Sequence, residues 1–500
     1  MKRIVQLGIV MLSVTMMVVD ARAQWRCYYA TWDEETNGIG HNTPSVGVIR
    51  NNMFVALVMT LNSSGQNVRN FMVPYVDADS SKGRKNYFGY GGATLGIFQV
   101  WSDGGFDQVT LQRASHLAAT PDSFIYVANN DPEHNILIFK YVNDTIAVVS
   151  PFQRQVTGST GIFGIEVSQN GYVYVCTDTS NGVTNDIQVF NPISQWSSSH
   201  LDPPVTTINL PDGIYKDVAV SPNGQQLFIA DYGGRRILKY VGSPTTGYTQ
   251  DTNFNFALSP GDTIIPVTTG RPSVIGLAYL SPNNILFAAV HVWVPFTTFS
   301  EAYPYGRIYL INPNTGALVS SDTSLSVIDV AAWNYTLLDS SYTSRVGGTV
   351  PGNASGYTST YDVDFDENGN LYTQSHYGWT VDKWRYQGTL PTITSVEEIS
   401  AAVPESFRLG QNYPNPFNPT TTIEFSLLRV GHVRLTVHNL LGQEVATLVD
   451  GEKAVGTYRV TFDPRLNDAV GQARDLPSGT YFYRLRSGGY SEVRKMMLLR

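Results

Sequence analysis

Residues 217–240 read DVAVSPNGQQLFIADYGGRRILKY. A short apolar run, Asp217 to Val220, meets Ser221-Pro222-Asn223-Gly224, and a second β-rich run ends at Asp231. A Gly/Arg loop follows, then a third run, Ile237 to Tyr240. Asn-Gly supplies the positive φ of a tight hairpin, and β-branched and aromatic residues suit pleated, half-buried strands. The stretch is therefore three antiparallel strands joined by two short turns.

The same unit recurs. Residues 117–141 read LAATPDSFIYVANNDPEHNILIFKY, and residues 164–179 read GIEVSQNGYVYVCTDT before DIQVF. Residues 276–290 read GLAYLSPNNILFAAV, with GRIYLI from Gly306. Residues 362–376 read DVDFDENGNLYTQSH, then TVDKWRY. A weaker copy, VGVIRNNMFVALV, begins at Val46. The turns near 120, 168, 221, 281 and 366 are spaced by 48, 53, 60 and 85 residues, and the first three intervals each fit one four-stranded unit. No helical period competes with this pattern. Repeated strand units of this length predict a β-propeller of six blades, or seven if 291–361 hides one. A sandwich of the same strands is the other architecture considered. Abundant aromatics are expected to fill the wedges between blades rather than to form sugar-stacking platforms.

The ends carry different signals. Lys2 and Arg3, the apolar Ile4 to Val19 and Ala21-Arg22-Ala23 form a secretory signal peptide, with cleavage expected between Ala23 and Gln24. No later segment approaches the roughly 20 apolar residues of a membrane helix. The whole chain has a net charge of −8. Residues 406–500 hold 12 Lys/Arg against 8 Asp/Glu, so 24–405 carries about −14. An acidic body argues against nucleic acid or an anionic membrane as its partner. Cys27 and Cys176 can pair in an exported protein, or Cys176 can be a buried small hydrophobe; both readings stay open.

Residues 217–240 resemble an NHL repeat, and the body from about 40 to 388 resembles NHL-like and gluconolactonase-like (SMP-30-like) propellers. In such a fold the starts of the first strands and the ends of the second strands converge on one mouth. The starts are His116, Gly164, Asp217, Leu277 and Asp362; the ends are Asn130, Asp178, Asp231, His291 and His376. Carboxylates, amides and histidines in one ring suit a cation, with calcium considered, or a sugar-like ligand. The competing role for Asp and Asn at strand ends is to cap their own loops, which Asp231 before Tyr232-Gly233-Gly234 fits well. Some gluconolactonase-like propellers hydrolyse lactones with a central metal, so the resemblance implies that an enzyme is conceivable; Gly164 and Leu277 stand where further polar groups are expected. Asp364-x-Asp366-x-Asn368-Gly369 opens like a calcium loop, but position twelve is Ser375, and a hairpin turn is the better reading.

From Thr389 the pattern breaks. TLPTITSVEEISAAVPES reads as a linker over 389–406, and alternating strands follow: Val433, Leu435 and Val437 on one face, Tyr458, Val460 and Phe462, then Tyr481, Tyr483 and Leu485. A small Ig-like sandwich is expected over 407–500. It contains FRLGQNYPNPFNPTTTIEFSL, VRLTVHNLLGQEVATLVDG, LPSGTYFYRLRSGGYSEVRKMMLLR and, between them, GTYRVTFD. Together these resemble the C-terminal sorting domain of type IX secretion substrates of the Bacteroidetes and their relatives (the Por secretion tail). The motif residues are Tyr413, Pro414, Asn415, Pro416, Phe417, Gly479, Tyr481 and Lys495. The resemblance implies export to the cell surface or release, the type IX machinery as a partner, and tail removal within about 390–406 with the body anchored to surface polysaccharide or freed. A glycan or protein ligand is expected for the propeller. The function expected is a secreted ligand- or protein-binding module, with a metal-dependent lactonase and a surface structural protein as alternatives.

Overall fold

The computed structural model describes residues 25–32, 41–76 (except 52 and 62–66), 97–102, 105–111, 114–153 (except 132), 162–177 and 186–258. It also describes 272–292 (except 282), 306–330 (except 322), 360–375, 380–393 (except 389 and 392), 396–400, and 404–499 (except 405, 419–420 and 463–475). The expected signal peptide and its cleavage site at Ala23 and Gln24 lie outside this set, as do Asp178 and His376.

The repeat units fold as blades. Their inner strands are His41–Arg50, His116–Ala119, Ile162–Val167, Tyr215–Val220, Pro272–Leu280 and Thr360–Phe365, for blades one to six. Each blade runs outward as an antiparallel sheet; blade two continues through Phe124–Asp131, His134–Val142 and Thr145–Gln153. Each inner strand lies beside the next, and the sixth beside the first, so the ring closes at six among the described sheets. Direct contact between the inner strands of blades five and six leaves no place for a seventh blade in 291–361, and a closed ring is not a sandwich. The N-terminal strand Trp25–Trp32 completes blade six by pairing with Thr380–Tyr386. The two ends of the body thereby latch the ring in one sheet.

The five expected hairpins form. Ser123 N–H donates to Thr120 O, Gly171 to Ser168, Gly224 to Ser221, Asn284 to Ser281 and Gly369 to Asp366. In each case the donor has positive φ, from 54° to 82°. Asp366 accepts from the Asn368 and Asn370 N–H groups within its turn, so the calcium-like motif is a hairpin. Apolar clusters fill the wedge between each pair of adjacent blades, from blades one and two round to blades six and one. The largest fully buried side chains there include Trp384, Tyr174, Tyr215, Tyr372, Phe228 and Phe287, so the aromatics fill wedges as expected. Cys176 is buried on strand Val173–Thr177.

The tail is a two-sheet sandwich. One sheet orders Val396–Ser400, Gly456–Phe462, Thr421–Leu427 and Arg408–Leu409; the other orders Glu444–Lys453, Gly431–His438, Gly479–Ser487 and Tyr490–Leu498. The inward sets Val433/Leu435/Val437, Tyr458/Val460/Phe462 and Tyr481/Tyr483/Leu485 make one core.

One expectation changes here. The segment 389–406 is not a plain connector: Val396–Ser400 is an edge strand of the sandwich, in register with Gly456–Phe462. Just before it, Ile393 N–H donates to Asn283 O, and Asn283 donates to Leu390 O, on blade five. Five polar-mixed residues show no period of their own; the partner strand imposes the extended form. The proline run is itself paired. Tyr413 exchanges both backbone bonds with Thr422, and Phe417 N–H donates to Met497 O while its carbonyl accepts from Leu499. Asn415 Oδ1 accepts from Met497 N–H, and Gln411 donates to Lys495 O. The run thus covers the outer edge of the last strand, where unpaired groups would otherwise invite another chain. Phe417 enters the core, whereas Tyr413 is 82% exposed and does not.

Candidate functional site

Bulges precede the third residue of the inner strands of blades four and six, between Tyr215 and Val218 and between Thr360 and Asp362. A bulge re-aims the side chain that follows or occupies it. Asp217 and Asp362 accordingly turn to the channel axis, where His116 from blade two meets them. His116 Nε2 lies 3.5 Å from Asp217 Oδ1 and 3.6 Å from Asp362 Oδ2. One ligand atom from each residue lies within 4.8 Å of the others.

Three alternate blades supply this cluster; glycines on the other three let the backbones close in. A Cβ on Gly164 would sit 2.6 Å from Asp217 Cα, and one on Gly276 2.4 Å from Tyr361 O. One on Gly47 would sit 2.4 Å from Leu117 Cδ1. Gly164 is therefore required by packing, not a missing polar group. Leu277 contributes through its backbone, donating N–H to Asp217 Oδ2 at 2.7 Å.

The carboxylates also stitch the ring. Asp217 Oδ1 accepts from Val218 N–H, and Asp362 Oδ1 from Val363 N–H. Asp362 Oδ2 accepts from Ser45 Oγ at 2.6 Å and Val46 N–H at 2.9 Å, joining blade six to blade one. Below them sit two groups that sequence reasoning missed, Glu166 and Asp364. Asp364 Oδ2 accepts from Val48 N–H at 2.6 Å, and Glu166 Oε1 from Val167 N–H. The signal was available: each stands two residues past a named position, on the same face of its strand.

Burial dominates the electrostatics. It pushes the Glu166 and Asp364 carboxyls up to about 8, with Asp364 adding to the shift of Glu166. It lifts Asp217 to about 7, helped by Asp362 and opposed by His116. Asp362 is raised by burial as well, against His116 and its hydrogen-bond donors. Burial works against the His116 cation, but Asp217, Asp362 and Glu166 outweigh it and raise its pKa. The channel thus holds several carboxyls with raised pKa values around one imidazole.

The described strand-two ends, Asn130, Asp231 and His291, do not join the cluster. Asn130 Oδ1 accepts from Ile162 N–H, tying blade two to blade three. Asp231 accepts from Gly234 N–H at 2.7 Å and pairs with Arg236 at 2.8 Å, which is the capping role. His291 packs against Tyr361 in a tilted arrangement, ring centroids 4.7 Å apart and planes at 44°.

The donor set fits a divalent ion. Atoms bound to one ion at about 2.0–2.4 Å lie roughly 3–4.8 Å apart, the range seen here. An imidazole nitrogen with two carboxylates suits zinc or manganese better than calcium, which takes six to eight oxygens. Both Asp217 oxygens and Asp362 Oδ1 each accept one backbone hydrogen and keep a second lone pair to offer, whereas Asp362 Oδ2 already accepts two, so a metal there would have to displace the Ser45 hydroxyl or use Oδ1.

Residues 411–499 match the model of the secretion system C-terminal sorting domain. No curated protein matches the chain by sequence. Among solved structures, the chain is similar to a luciferin-regenerating enzyme at 13% identity and a TM-score of 0.36, covering 74% of this chain and 94% of that one. It is similar to the β-propeller domain of Myceliophteria thermophila Cps50 (Swd1) at 10% identity and a TM-score of 0.35, covering 69% and 96%. The WD40 propeller of Doa1 gives 11% identity and a TM-score of 0.35, covering 72% and 97%. These scores lie below 0.5, and the fold is argued from the blades themselves. The tail is a type IX sorting domain by its match over residues 411–499, and it follows a β-propeller whose described sheets close in a ring of six.

Proposed function

We propose that this protein is an exported binding module whose propeller takes its ligand at the channel through a divalent cation held by His116, Asp217 and Asp362. The sorting domain directs the chain to the cell surface or beyond it. No described helix is long and apolar enough to cross a membrane. The N-terminal signal peptide would carry it through the inner membrane, and the type IX machinery through the outer one. One observation supports the binding reading above the rest: three ionisable side chains on three different blades meet on the axis. Distant strands bring them together at a cost in buried charge, which a bound cation would offset. A glycan or protein ligand with its own oxygen donors would complete the coordination.

The test is metal content. Exported chain, purified and dialysed, should hold about one divalent ion by elemental analysis and melt higher with zinc or manganese added. His116→Ala should lose both. A chain that binds no ion and melts alike with or without metal would leave the triad as a purely structural stitch between blades. That outcome has its own support, because both aspartates already bond backbone N–H groups across the seams. Turnover on a lactone and ester panel, lost in His116→Ala, would recast the module as a metal-dependent hydrolase. Ligand-free self-association would favour a surface structural role.

A further inference from the structure

The tail hairpin Gly431–His438/Glu444–Lys453 turns through His-Asn-Leu-Leu-Gly-Gln. Leu440 is 71% exposed and Leu441 83%, so neither belongs to the sandwich core. The turn does not need them. Gly442 supplies the positive φ of 76°, and Asn439 does the rest. Its Oδ1 accepts from Leu441 and Gln443 N–H, its Nδ2 donates to Gln443 Oε1, and its backbone bonds Gln443 and Gly442. Polar residues would serve equally at the two tip positions. The tip is therefore a rigid, pre-ordered knob of two leucines, which loses little entropy when it is buried.

Its surroundings say what it fits. On the strands that carry the tip, Arg434 and Glu444 are bonded to each other at 2.9 Å and offset one another, and His438 at the base of the turn is tied to Gly442 O through Nδ1. A knob that inserts into an anionic membrane is flanked by free cations; a knob that enters an apolar pocket of a folded protein needs none. The knob lies inside 411–499, the segment matched by the sorting-domain model. We propose that Leu440 and Leu441 form the docking knob by which the tail seats in an apolar pocket of a protein of the export route. This rests on the tail being a sorting domain.

The experiment follows the full chain in a type IX-competent bacterium, scoring surface against periplasm. The parent must reach the surface; a parent held in the periplasm counts against the sorting-domain reading itself. With the parent exported, Leu440→Ser/Leu441→Ser should lower the surface fraction at least tenfold with an unchanged melting midpoint. Leu441→Met should export like the parent. Val430→Ser, a change at a site 71% exposed in another loop, should do so too. Export of the double serine variant at the parent's level overturns the proposal. So does an equal loss with Val430→Ser, which would mark general surface stickiness. Leucine-dependent flotation of the purified chain with anionic phospholipid vesicles would also overturn it, assigning the knob to a membrane.

Discussion

The propeller and the sandwich are both antiparallel β, yet they distribute polarity in opposite ways. The propeller buries charge: Asp186, Asp217, Asp231, Lys239, Asp362, Asp382 and Lys383 are all under 9% exposed, with His134, His200 and His291. The described tail buries no acid, base or histidine; its buried polar residues are Asn412, Thr421, Thr436 and Thr447. Outside, the contrast reverses. Among the described large hydrophobics at least 36% exposed, Tyr413, Val430, Leu440, Leu441, Tyr490, Val493, Met497 and Leu499 belong to the tail, and five belong to the body. A ring must join blades at seams where backbones meet edge-on, and buried carboxylates bond the N–H groups there. A two-sheet sandwich closes on a purely apolar core and leaves its recognition to the surface. The body therefore carries its chemistry inside, and the tail carries its address outside.

The largest test of that division is a transfer. A reporter fused behind a signal peptide to residues 394–500 should reach the surface of a type IX-competent bacterium, while the chain cut after 393 should stay in the periplasm. Starting at 394 keeps the edge strand Val396–Ser400 with its sandwich. Cell fractionation decides, and a reporter retained inside would break the comparison.

Next in size is the wedge core. Trp384, 1% exposed and bonded to Thr373 Oγ1, sits between blades five and six. Trp384→Ala should cost about 3–5 kcal/mol in denaturant unfolding of the body. The tail transition should stay where it was; a matching fall there would mean that the two units melt as one.

The buried charges predict a pH effect confined to the propeller. Glu166 and Asp364 have folded values of about 8, well above the ordinary range near 4. A raised carboxyl binds its proton more tightly folded than unfolded, so stability falls as pH rises from about 4 through 8. The raised His116 acts in the same direction, its contribution being lost as pH passes its folded value. The body should melt several degrees lower at pH 9 than at pH 6 in calorimetry, and the tail should barely move. A body whose midpoint is flat over that range would contradict these shifts.

The smallest effect separates two residues of one run. Tyr413→Ala should change tail stability by no more than about 0.5 kcal/mol, since the ring is exposed. Phe417→Ala, in the core, serves as the large-effect control in the same melts.

Much of this was legible in the chain. Hairpin turns announce themselves because positive φ demands Gly or Asn at one position, as at Gly171, Gly224 and Gly369. Inward faces of the tail strands follow from a period of two, and the sorting motifs are local and dense. His116, Asp217 and Asp362 could be named in advance because equivalent positions in repeated blades share an end of the ring. Local sequence could not say which candidates meet. Asn130, Asp231 and His291 occupy equally regular positions, but each finds a partner on an adjacent loop or strand before reaching the axis. The glycine contacts at Gly164 and Gly276 and the pairing of Val396–Ser400 depend on strands far apart in sequence. Sequence determined the blades, their turns and the export address, because short-range sterics and periodicity set those. The tertiary structure alone decided the count of six, the edge cover made by the proline run and the charge cluster on the axis, because those arise where distant backbones compete for the same hydrogen bonds.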